Sequence, residues 1–559
     1  MDGREITCRS RLVPDGIPPD EGTSFMQMDS ASSGTGAFGR RMMLGGTIGL
    51  ALAAAGASAG RAWGDTPFRE DPFALGVASG DPWPDGVVLW TRLAPQPLAP
   101  DGAGGMPPYA VDVQWEIARD ERFRSVVRRG RTRAVPELAH SVHVEVSGLQ
   151  PGRHYYYRFR AGGVHSPVGR TRTAPPPHSR PKELGFAFVS CQAWFEGFYT
   201  AYRHLAEEDV DLVLHLGDYI YENPIDAMGG VRNVPVAAEL RPEPMNLAQY
   251  RNRHALHRFD PDLIAAHRAH PFAVVWDDHE VEDNWARDRS KVDTEPDQDP
   301  AVFRERAAAA FQAYYEHLPL RLPNRPNGFR TRMYRSLRYG RMATFHILDT
   351  RLFRDDQPCG DGSRTGCADR LTPGRTILGP EQEQWLYRGL GRSDATWNMI
   401  SQQIPVTQVD TDPGPGQTFV MDFWDGYVDA RQRLFKEITD RSVNNPVVLT
   451  GDMHRHLAAD LKRDFDDPES PTLGVEFVGS SISTSKDGMD LDPSGARLLA
   501  ANEHIKFTNF QRGYVRCALT RETCRADFRV LPYVTTPGAP VSTRTSFVTE
   551  AGRPGIQQA

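Results

Sequence analysis

The segment Val210-Asp-Leu-Val-Leu-His-Leu-Gly-Asp-Tyr-Ile-Tyr-Glu222 is an apolar run that ends directly in a polar cluster. Three further runs have the same form, and each is followed at once by polar residues: Phe186–Val189 by Ser190-Cys191-Gln192, Phe272–Trp276 by Asp277-Asp278-His279-Glu280, and Val447–Thr450 by Gly451-Asp452-Met453-His454-Arg455-His456. In open α/β sheets, ligands bind outside the carboxyl ends of the strands. The four strand ends are therefore predicted to converge on one cleft.

The segments around these runs indicate a layered α/β domain. Apolar runs alternate with longer amphipathic stretches such as Ala301–His317 and Gly379–Leu390, as expected for strands alternating with helices. We predict this domain over residues 176–540, followed by a frayed C-terminal tail at 541–559. The segments His504–Phe510, Arg512–Thr520 and Ala526–Val530 are predicted to be edge strands that close its sheet.

Residues 65–175 have a different pattern, of short alternating strands without helical periodicity. Gly86–Thr91, Val111–Glu116 and His140–Val146 are examples, and together they predict a β-sandwich. The segment Val146–Phe159 resembles the corner between strands E and F of fibronectin type III modules. The proline-rich stretch Ala174–Pro181 is predicted to be a semi-rigid linker between the two domains.

The first 64 residues contain a predicted export leader. Arg40 and Arg41 precede a weakly apolar run, Met42–Ala59, which ends in small residues suited to cleavage. The paired arginines favour the twin-arginine route, with the twin-arginine translocase as a partner and an extracytoplasmic location, in the periplasm or cell wall. An uncleaved N-terminal anchor is the alternative, and Met26 or Met28 is a candidate start.

The composition is that of a soluble globular protein and excludes several classes. Of 559 residues, 39% are hydrophobic and 25% charged, which excludes a disordered, collagen-like or polytopic membrane chain. The formal charge of −7 provides no basic field for nucleic acid, so we expect no nucleic-acid binding. With 50 glycines and 44 prolines, many turns and long loops are predicted.

The cysteines are informative because an exported protein meets an oxidising compartment. Cys359 and Cys367 flank a short loop, and Cys517 and Cys524 lie at the ends of a short turn, so two local disulfides are predicted. Cys191 is left unpaired. Burial alone explains such a thiol, and metal ligation or nucleophilic attack are the functional alternatives.

The strand ends carry a candidate metal site. Asp218 and Tyr221 are three residues apart, and a tight turn can direct both oxygens at one hard cation. Read singly, each acidic residue is more often a cap or a loop charge, and His454 or His456 a surface histidine. A joint cluster of Cys, Tyr, His and three Asp favours a multivalent cation, which offsets the cost of packing carboxylates together.

These motifs, in this order and together with Leu348-Asp349-Thr350-Arg351 and Phe73–Pro82, resemble the alkaline phosphatase D (PhoD-like) family of calcineurin-like metallophosphoesterases. The resemblance spans most of residues 71–533. It implies an α/β fold, a four-layer metallophosphoesterase-like sandwich with an N-terminal fibronectin III-like β-sandwich domain. It also implies a twin-arginine leader.

The resemblance further implies a ligand set with ferric iron and calcium as cofactors. Iron would be held by Cys191, Asp218, Tyr221 and His454, with Asp218 bridging to a second site served by Asp278 and Asp452. The oxygen ligands of that second site favour calcium. Whether Asn284, Gln402, Gln403 or His456 completes the shell is left open.

The implied reaction is in-line attack of a metal-bound hydroxide on the phosphorus of a small-molecule phosphate ester. His279 is similar to the family histidine that contacts phosphate or protonates the leaving oxygen, with a supporting role as its alternative. Arg351 is predicted to bind a nonbridging phosphate oxygen, or else to form an ion pair with Asp349.

Other functions remain open at this point. A phosphodiesterase or phospholipase D-type activity on the same site is the nearest alternative, because access to the cleft decides between mono- and diesters. A thiol hydrolase using Cys191 has no separate Cys-His-Asn arrangement to support it. An exported binding protein would not need four ligand-bearing strand ends. We expect a monomer.

Overall fold

The computed structural model describes residues 68–559. The predicted leader, its arginine pair and the candidate starts lie outside these residues. The described residues belong to one compact unit. Among them, no helix combines the length and the apolar character needed to cross a membrane.

The regular elements are 24 strands and seven α-helices within the described range. The strands are β1 (Val77–Trp83), β2 (Gly86–Arg92), β3 (Val111–Ala118), β4 (Val126–Ala134), β5 (Ser141–Val146), β6 (His154–Ala161), β7 (Val164–His165), β8 (Gly169–Arg172), β9 (Leu184–Val189), β10 (Leu212–His215), β11 (Pro271–Val274), β12 (Arg335–Tyr339), β13 (Ala343–Ile347), β14 (Ser363–Thr365), β15 (Trp397–Ser401), β16 (Thr418–Val420), β17 (Pro446–Thr450), β18 (His456–Lys462), β19 (Thr472–Val478), β20 (Ile505–Asn509), β21 (Arg512–Leu519), β22 (Thr523–Leu531), β23 (Ser542–Glu550) and β24 (Arg553–Gln558). The helices are α1 (Thr200–Glu207), α2 (Leu247–Arg258), α3 (Pro261–Ala269), α4 (Pro300–His317), α5 (Gly379–Arg392), α6 (Val428–Asp440) and α7 (Pro493–Ala501).

Asp-Pro pairs mark the starts of three helices. Asp260, Asp299 and Asp492 are the N-caps of α3, α4 and α7, and each carboxylate accepts a backbone N–H of the first turn. The proline that follows fits the first helical position, where its missing N–H has no intrahelical partner to lose. The predicted helices at 301–317 and 379–390 are confirmed by α4 and α5.

Two large sheets carry the strand ends that were singled out in the sequence. A ten-stranded sheet has the order β24-β23-β22-β21-β9-β10-β11-β1-β2-β5, and β9, β10 and β11 run parallel in it. A seven-stranded sheet has the order β12-β13-β15-β17-β19-β18-β20. The four apolar runs are thus divided three to one between the two sheets, at β9, β10, β11 and β17.

The two sheets share one apolar core. Phe186 of β9 meets Phe345 of β13 edge to face, with ring centroids 5.1 Å apart, and both belong to the largest buried cluster. Leu386 of α5 and Leu434 of α6 pack with Ile400 of β15 in a separate cluster. Aromatic contacts of this kind add to the area-based gain from burial.

The N-terminal strands do not form a separate body. A five-stranded sheet, built of β3, β4, β6, β7 and β8, packs through Val113, Tyr157 and Phe159 against Val87 and Leu89 of β2. However, β1, β2 and β5 continue the ten-stranded sheet, because β1 pairs in parallel with β11. The domain boundary at 175/176 stays a prediction.

One expectation for the C-terminal region is wrong, and a second is confirmed in part. Residues 541–559 are not a frayed tail, since β23 and β24 form the edge of the ten-stranded sheet, and Phe547 is buried against the core. The segment at 504–510 is an edge strand as predicted, since β20 ends the seven-stranded sheet. The segments at 512–520 and 526–530 are not edge strands, because β21 and β22 lie inside the ten-stranded sheet.

The cysteines are confirmed in part. Cys359 and Cys367 form a disulfide. Within the described chain Cys517 and Cys524 are free thiols, so the second predicted disulfide is wrong. Cys517 lies opposite Ala526 and Cys524 opposite Leu519, and such diagonal positions are too far apart for an unstrained bond.

Candidate metal centre

The residues that follow the strands have an unusual backbone. Cys191 after β9, Asp218 after β10, and Asp452 and His454 after β17 have φ values of 59°, 57°, 59° and 53°. Non-glycine residues rarely adopt this left-handed conformation, and those that do are concentrated at functional sites. The sharp turn at each strand end directs these side chains into one cleft.

The first group of side chains contains the predicted iron ligands. Ligand atoms of Cys191, Asp218 and His454 all lie within 4.8 Å of one another. The Tyr221 hydroxyl donates to Asp218 Oδ2 at 2.8 Å and lies 3.1 Å from His454 Nε2. The structure therefore brings all four predicted residues together, from two sheets and three strand ends.

A second group adjoins the first. Asp277, Asp278 and Asp452 form one set with ligand atoms within 4.8 Å, and Asp218, Asp278 and His279 form another. Asp218 of the first group and Asp278 of the second thus lie in one shared set. The roles of these residues as ligands stay predictions.

Arg351 is buried inside the second group. Its Nε donates to Asp277 Oδ1 at 2.5 Å and its Nη1 to Asp422 Oδ1 at 2.8 Å, while Nη2 lies 3.4 Å from Asp278 Oδ1. The alternative ion pair with Asp349 is wrong. Asp349 Oδ1 instead accepts the backbone N–H of Arg351 at 3.0 Å, in the short turn that aspartate favours.

Burial and charge act differently on the two groups. Burial, reinforced by neighbouring carboxylates, raises the pKa of Cys191 and of Asp218 well above their usual values. Burial also raises the pKa of Asp452. Although burial opposes ionisation of Asp278 too, Arg351 and His279 outweigh it and hold the pKa of that carboxyl below its usual range.

The donor set fits metal ions. Oδ1 of Asp218, Oδ1 of Asp278 and Oδ2 of Asp277 are buried and have no hydrogen-bond partner among residues 68–559. An unpaired buried carboxylate oxygen is costly, and a cation offsets that cost. One thiol, one phenol and one imidazole beside carboxylates suit a transition metal, whereas the second group offers oxygen only.

His279 is held by a carboxylate and an aromatic ring. Its Nδ1 lies 2.7 Å from Glu222 Oε2, and its ring stacks on Tyr221 at 4.2 Å. Burial alone would lower the pKa of His279, but Glu222, Asp278 and Asp218 outweigh it and raise that pKa well above its usual value. With Nδ1 engaged, Nε2 is the nitrogen left for the cleft.

Glu280 holds two turns of the centre together, a role that the sequence analysis does not predict. Its carboxylate accepts the backbone N–H groups of Asp218, Tyr219 and Asp277, at 3.1, 2.6 and 2.8 Å. These bonds fix the turn after β10 to the turn after β11. The sequence signal for this role is the position of Glu280, two residues after the predicted ligand Asp278.

The remaining candidates differ in position. The Asn284 N–H donates to Asp278 Oδ2 at 2.8 Å, so Asn284 lies beside the centre. Gln402 and Gln403 are engaged elsewhere, because their Oε1 atoms accept the Trp424 indole N–H at 3.2 Å and the Thr350 backbone N–H at 3.1 Å. His456 Nδ1 accepts the Ser480 N–H at 3.1 Å, away from the ligand groups.

Comparisons with known proteins agree with this geometry. Residues 186–528 match the model of the PhoD-like phosphatases, and residues 57–175 match that of the PhoD-like phosphatase N-terminal domain. The chain belongs to the PhoD-like phosphatase family. The family resemblance inferred from the motifs is therefore confirmed.

Two relatives of this PhoD-like chain are close. Alkaline phosphatase D of Bacillus subtilis (strain 168) is 49% identical over 494 residues, which cover 88% of this chain and 83% of that protein. A solved structure described as that of PhoD is 48% identical, with a TM-score of 0.84, and the match covers 88% of this chain and 93% of that one. The mixed α/β fold with several sheets is that of this relative.

Proposed function

We propose that this PhoD-like enzyme is an alkaline phosphatase that hydrolyses small phosphate monoesters at the centre around Asp218. It is a phosphoesterase by family. The observation that carries the site assignment is the convergence of Cys191, Asp218 and His454 from separate strand ends within 4.8 Å. No other purpose is evident for so many unpaired acidic atoms in one buried cleft.

The proposed cofactors are ferric iron and calcium. Cys191, Asp218, Tyr221 and His454 would hold the iron, and the second group, Asp278 and Asp452, would hold calcium. Metal ions there would supply Lewis acidity, lower the pKa of water and neutralise charge on the phosphate. The support is the match between the donor atoms and the preferences of the two ions.

The proposed catalytic residue of the chain itself is His279. Glu222 fixes its ring through Nδ1 at 2.7 Å and favours the protonated form. A proton held at Nε2 can pass to the leaving oxygen of the ester. The side chain is 15% exposed, which leaves it accessible from the cleft.

Arg351 is proposed to contact phosphate through one nitrogen. Nε and Nη1 are bonded to Asp277 and Asp422, whereas Nη2 has no hydrogen-bond partner within the described chain. Nη2 is thus the nitrogen that remains for a phosphate oxygen. The other two bonds give Arg351 a second role, as the counter-charge of the acidic group.

The second candidate function is a phosphodiesterase or phospholipase D-type activity. It uses the same centre, and the size of the opening decides between the two ester classes. Purified enzyme assayed with p-nitrophenyl phosphate and bis-p-nitrophenyl phosphate separates them. We expect the higher kcat/KM with the monoester, and a preference for the diester would favour the second candidate.

We further propose that the protein is a monomer exported by the twin-arginine route. Arg40 and Arg41 ahead of a small-residue apolar run support export. Cell fractionation of an Arg40→Lys/Arg41→Lys double variant tests it, and we expect the variant to remain in the cytoplasm. Normal export of that variant would contradict the proposed route.

The finer architecture is also part of the proposal. The shared core of the two large sheets, with α5 and α6 against one and α1, α3 and α4 in contact with the other, supports a four-layer metallophosphoesterase-like sandwich. The packing of the five-stranded sheet on β2 and β5 supports a fibronectin III-like N-terminal sandwich. A crystal structure would test both.

A further inference from the structure

A second acidic cluster lies in the loop that leads into α4, outside the centre described above. Ligand atoms of Glu282, Asp293 and Asp297 all lie within 4.8 Å of one another. Glu282 and Asp297 are 2% and 0% exposed, whereas Asp293 is on the surface. The cluster thus has two buried carboxylates, and one that solvent can reach.

The buried part of the cluster contains an oxygen atom without a hydrogen-bond partner. Glu282 Oε2 forms no hydrogen bond within residues 68–559, although the side chain is only 3% exposed. The nearest cation is Arg306, whose Nη1 is 3.6 Å away and bonds instead to Asp297 Oδ2 at 2.8 Å. An ionised oxygen in this position is costly unless a cation binds it.

One hydroxyl proton is shared among too many acceptors. Ser290 Oγ lies 3.1 Å from Glu282 Oε1, 3.0 Å from the Lys291 carbonyl and 3.2 Å from Asp297 Oδ1. A serine hydroxyl has a single proton and can satisfy one of these three oxygens. Gln298 Nε2 donates to the Lys291 carbonyl at 2.8 Å, but Glu282 Oε1 and Asp297 Oδ1 have no donor besides this hydroxyl in the described chain. A bound cation would relieve the repulsion between these two carboxylates.

The local charge is also unbalanced. Arg306 is shared among Asp297, Glu282 and Glu243. The Oε1 atom of Glu243 lies 2.5 Å from Arg306 Nη2. Three carboxylates thus share one guanidinium, and Asp293 adds a further negative charge to the cluster. Burial raises the pKa of Glu282 to about 8, so a proton on Glu282 is the competing way to reduce this charge.

We propose that Glu282, Asp293 and Asp297, with Ser290 Oγ and the Lys291 carbonyl, form a structural calcium site. All of the available donors are oxygens, which excludes a preference for zinc or iron, and an irregular set of carboxylate, hydroxyl and carbonyl oxygens suits calcium better than magnesium. This site is separate from the catalytic centre and does not depend on the proposed phosphatase activity.

A chain of polar contacts connects this site to the active centre. Lys291 forms an ion pair with Asp283, and the Asp283 N–H donates to Glu222 Oε1 at 3.0 Å. Glu222 in turn holds His279. Calcium would therefore fix the loop at 290–297 beside the residues that support His279.

Equilibrium dialysis with radioactive calcium tests the proposal on the purified full-length enzyme. The variants are Asp293→Asn, which changes an exposed residue and should fold normally, and Glu282→Gln, which keeps the shape of the buried side chain. Glu295→Gln is the matched control, an acid-to-amide change in the same loop outside the cluster. Thermal unfolding with calcium, with magnesium and with chelator gives a second readout.

Wild type and Glu295→Gln should each bind one more calcium per chain than Asp293→Asn and Glu282→Gln, or bind it at least about tenfold more tightly. The calcium-dependent rise in Tm should shrink in the same two variants, because binding to the folded state raises stability. Equal calcium counts and equal Tm shifts in all four proteins would overturn the proposal and leave Glu282 neutralised by a proton.

An Asp452→Asn variant separates this site from the catalytic calcium. The proposal predicts that Asp452→Asn keeps the calcium that Asp293→Asn loses. If Asp452→Asn lost all bound calcium while Asp293→Asn lost none, calcium would bind at the active centre alone, and the loop site would be rejected.

Discussion

The two groups of the candidate metal centre differ in how their buried charges are neutralised. Around Cys191, Asp218 and His454 no arginine or lysine forms an ion pair with the ligands in the described chain. Around Asp277 and Asp278, the buried Arg351 supplies an internal cation. We therefore expect the cysteine group to need a bound metal ion for its ionised form, whereas the arginine group is partly neutralised before any metal binds.

The pKa directions follow this difference only in part. The pKa values of Cys191 and Asp218 are raised, and that of Asp278 is lowered. Arg351 and His279 together lower the pKa of Asp278, whereas burial raises that of Asp277 to about 7 although Asp277 bonds to the same guanidinium. We therefore expect metal binding to matter most for the ionisation of Cys191 and Asp218.

Replacement of Asp218 should have the largest effect. Asp218→Asn removes the charge that both groups share but keeps the volume, so metal content should fall and turnover of p-nitrophenyl phosphate should drop by more than about 100-fold. Asp209→Asn, at an exposed acid before β10, is the control. Wild-type metal content and turnover in Asp218→Asn would contradict the assignment.

His279→Ala should have the second largest effect. It removes the proposed proton donor without removing a predicted ligand, so turnover should fall by about 10²- to 10⁴-fold while the metal content stays at the wild-type level. Mass spectrometry of the bound metals and steady-state kinetics check it. Unchanged turnover would remove His279 from the mechanism.

Arg351→Met tests the internal cation directly. Loss of the guanidinium leaves Asp277 and Asp278 without their cationic partner, whereas Asp422 keeps Arg354, and the free energy of unfolding should fall by about 3–5 kcal/mol. Urea unfolding measures the change, with the exposed Arg388→Met as control. Added calcium should stabilise Arg351→Met more than wild type, and equal stabilisation would show that calcium does not replace the charge.

Glu280→Gln should have the smallest effect. The amide keeps one acceptor oxygen but turns an NH2 group toward backbone donors, so the turns of the two groups lose part of their shared anchor. The expected loss of stability is about 1–3 kcal/mol, because a buried N–H is left unsatisfied. A variant as stable as wild type would mean that the two turns are positioned independently.

Much of the centre could be predicted because its residues directly follow apolar strands. Cys191, Asp218, Asp278, Asp452 and His454 all lie within a few residues of a strand end, and short motifs of that kind are visible in a single sequence. Parallel strands then bring distant motifs to the same edge. The family resemblance added chemical roles to positions that the pattern had already selected.

The partners of Arg351 could not be predicted in the same way. Asp422 lies 71 residues from Arg351 in an irregular segment, with no motif to relate the two. The strands at 541–559 could not be predicted from local sequence, because β23 has only two adjacent apolar residues, Phe547 and Val548, and is stabilised by pairing with β22. The register that separates Cys517 from Cys524 depends on strand pairing, which local sequence does not determine.

Metal analysis of the natively purified protein, paired with p-nitrophenyl phosphate hydrolysis before and after chelation, tests the central claim most directly. The account predicts tightly bound iron at about one per chain, the stoichiometry of a single closed ligand group, and loss of activity when metal is removed. Absence of iron, or activity indifferent to chelation, would contradict it, because Cys191 and Tyr221 would then not be ligands.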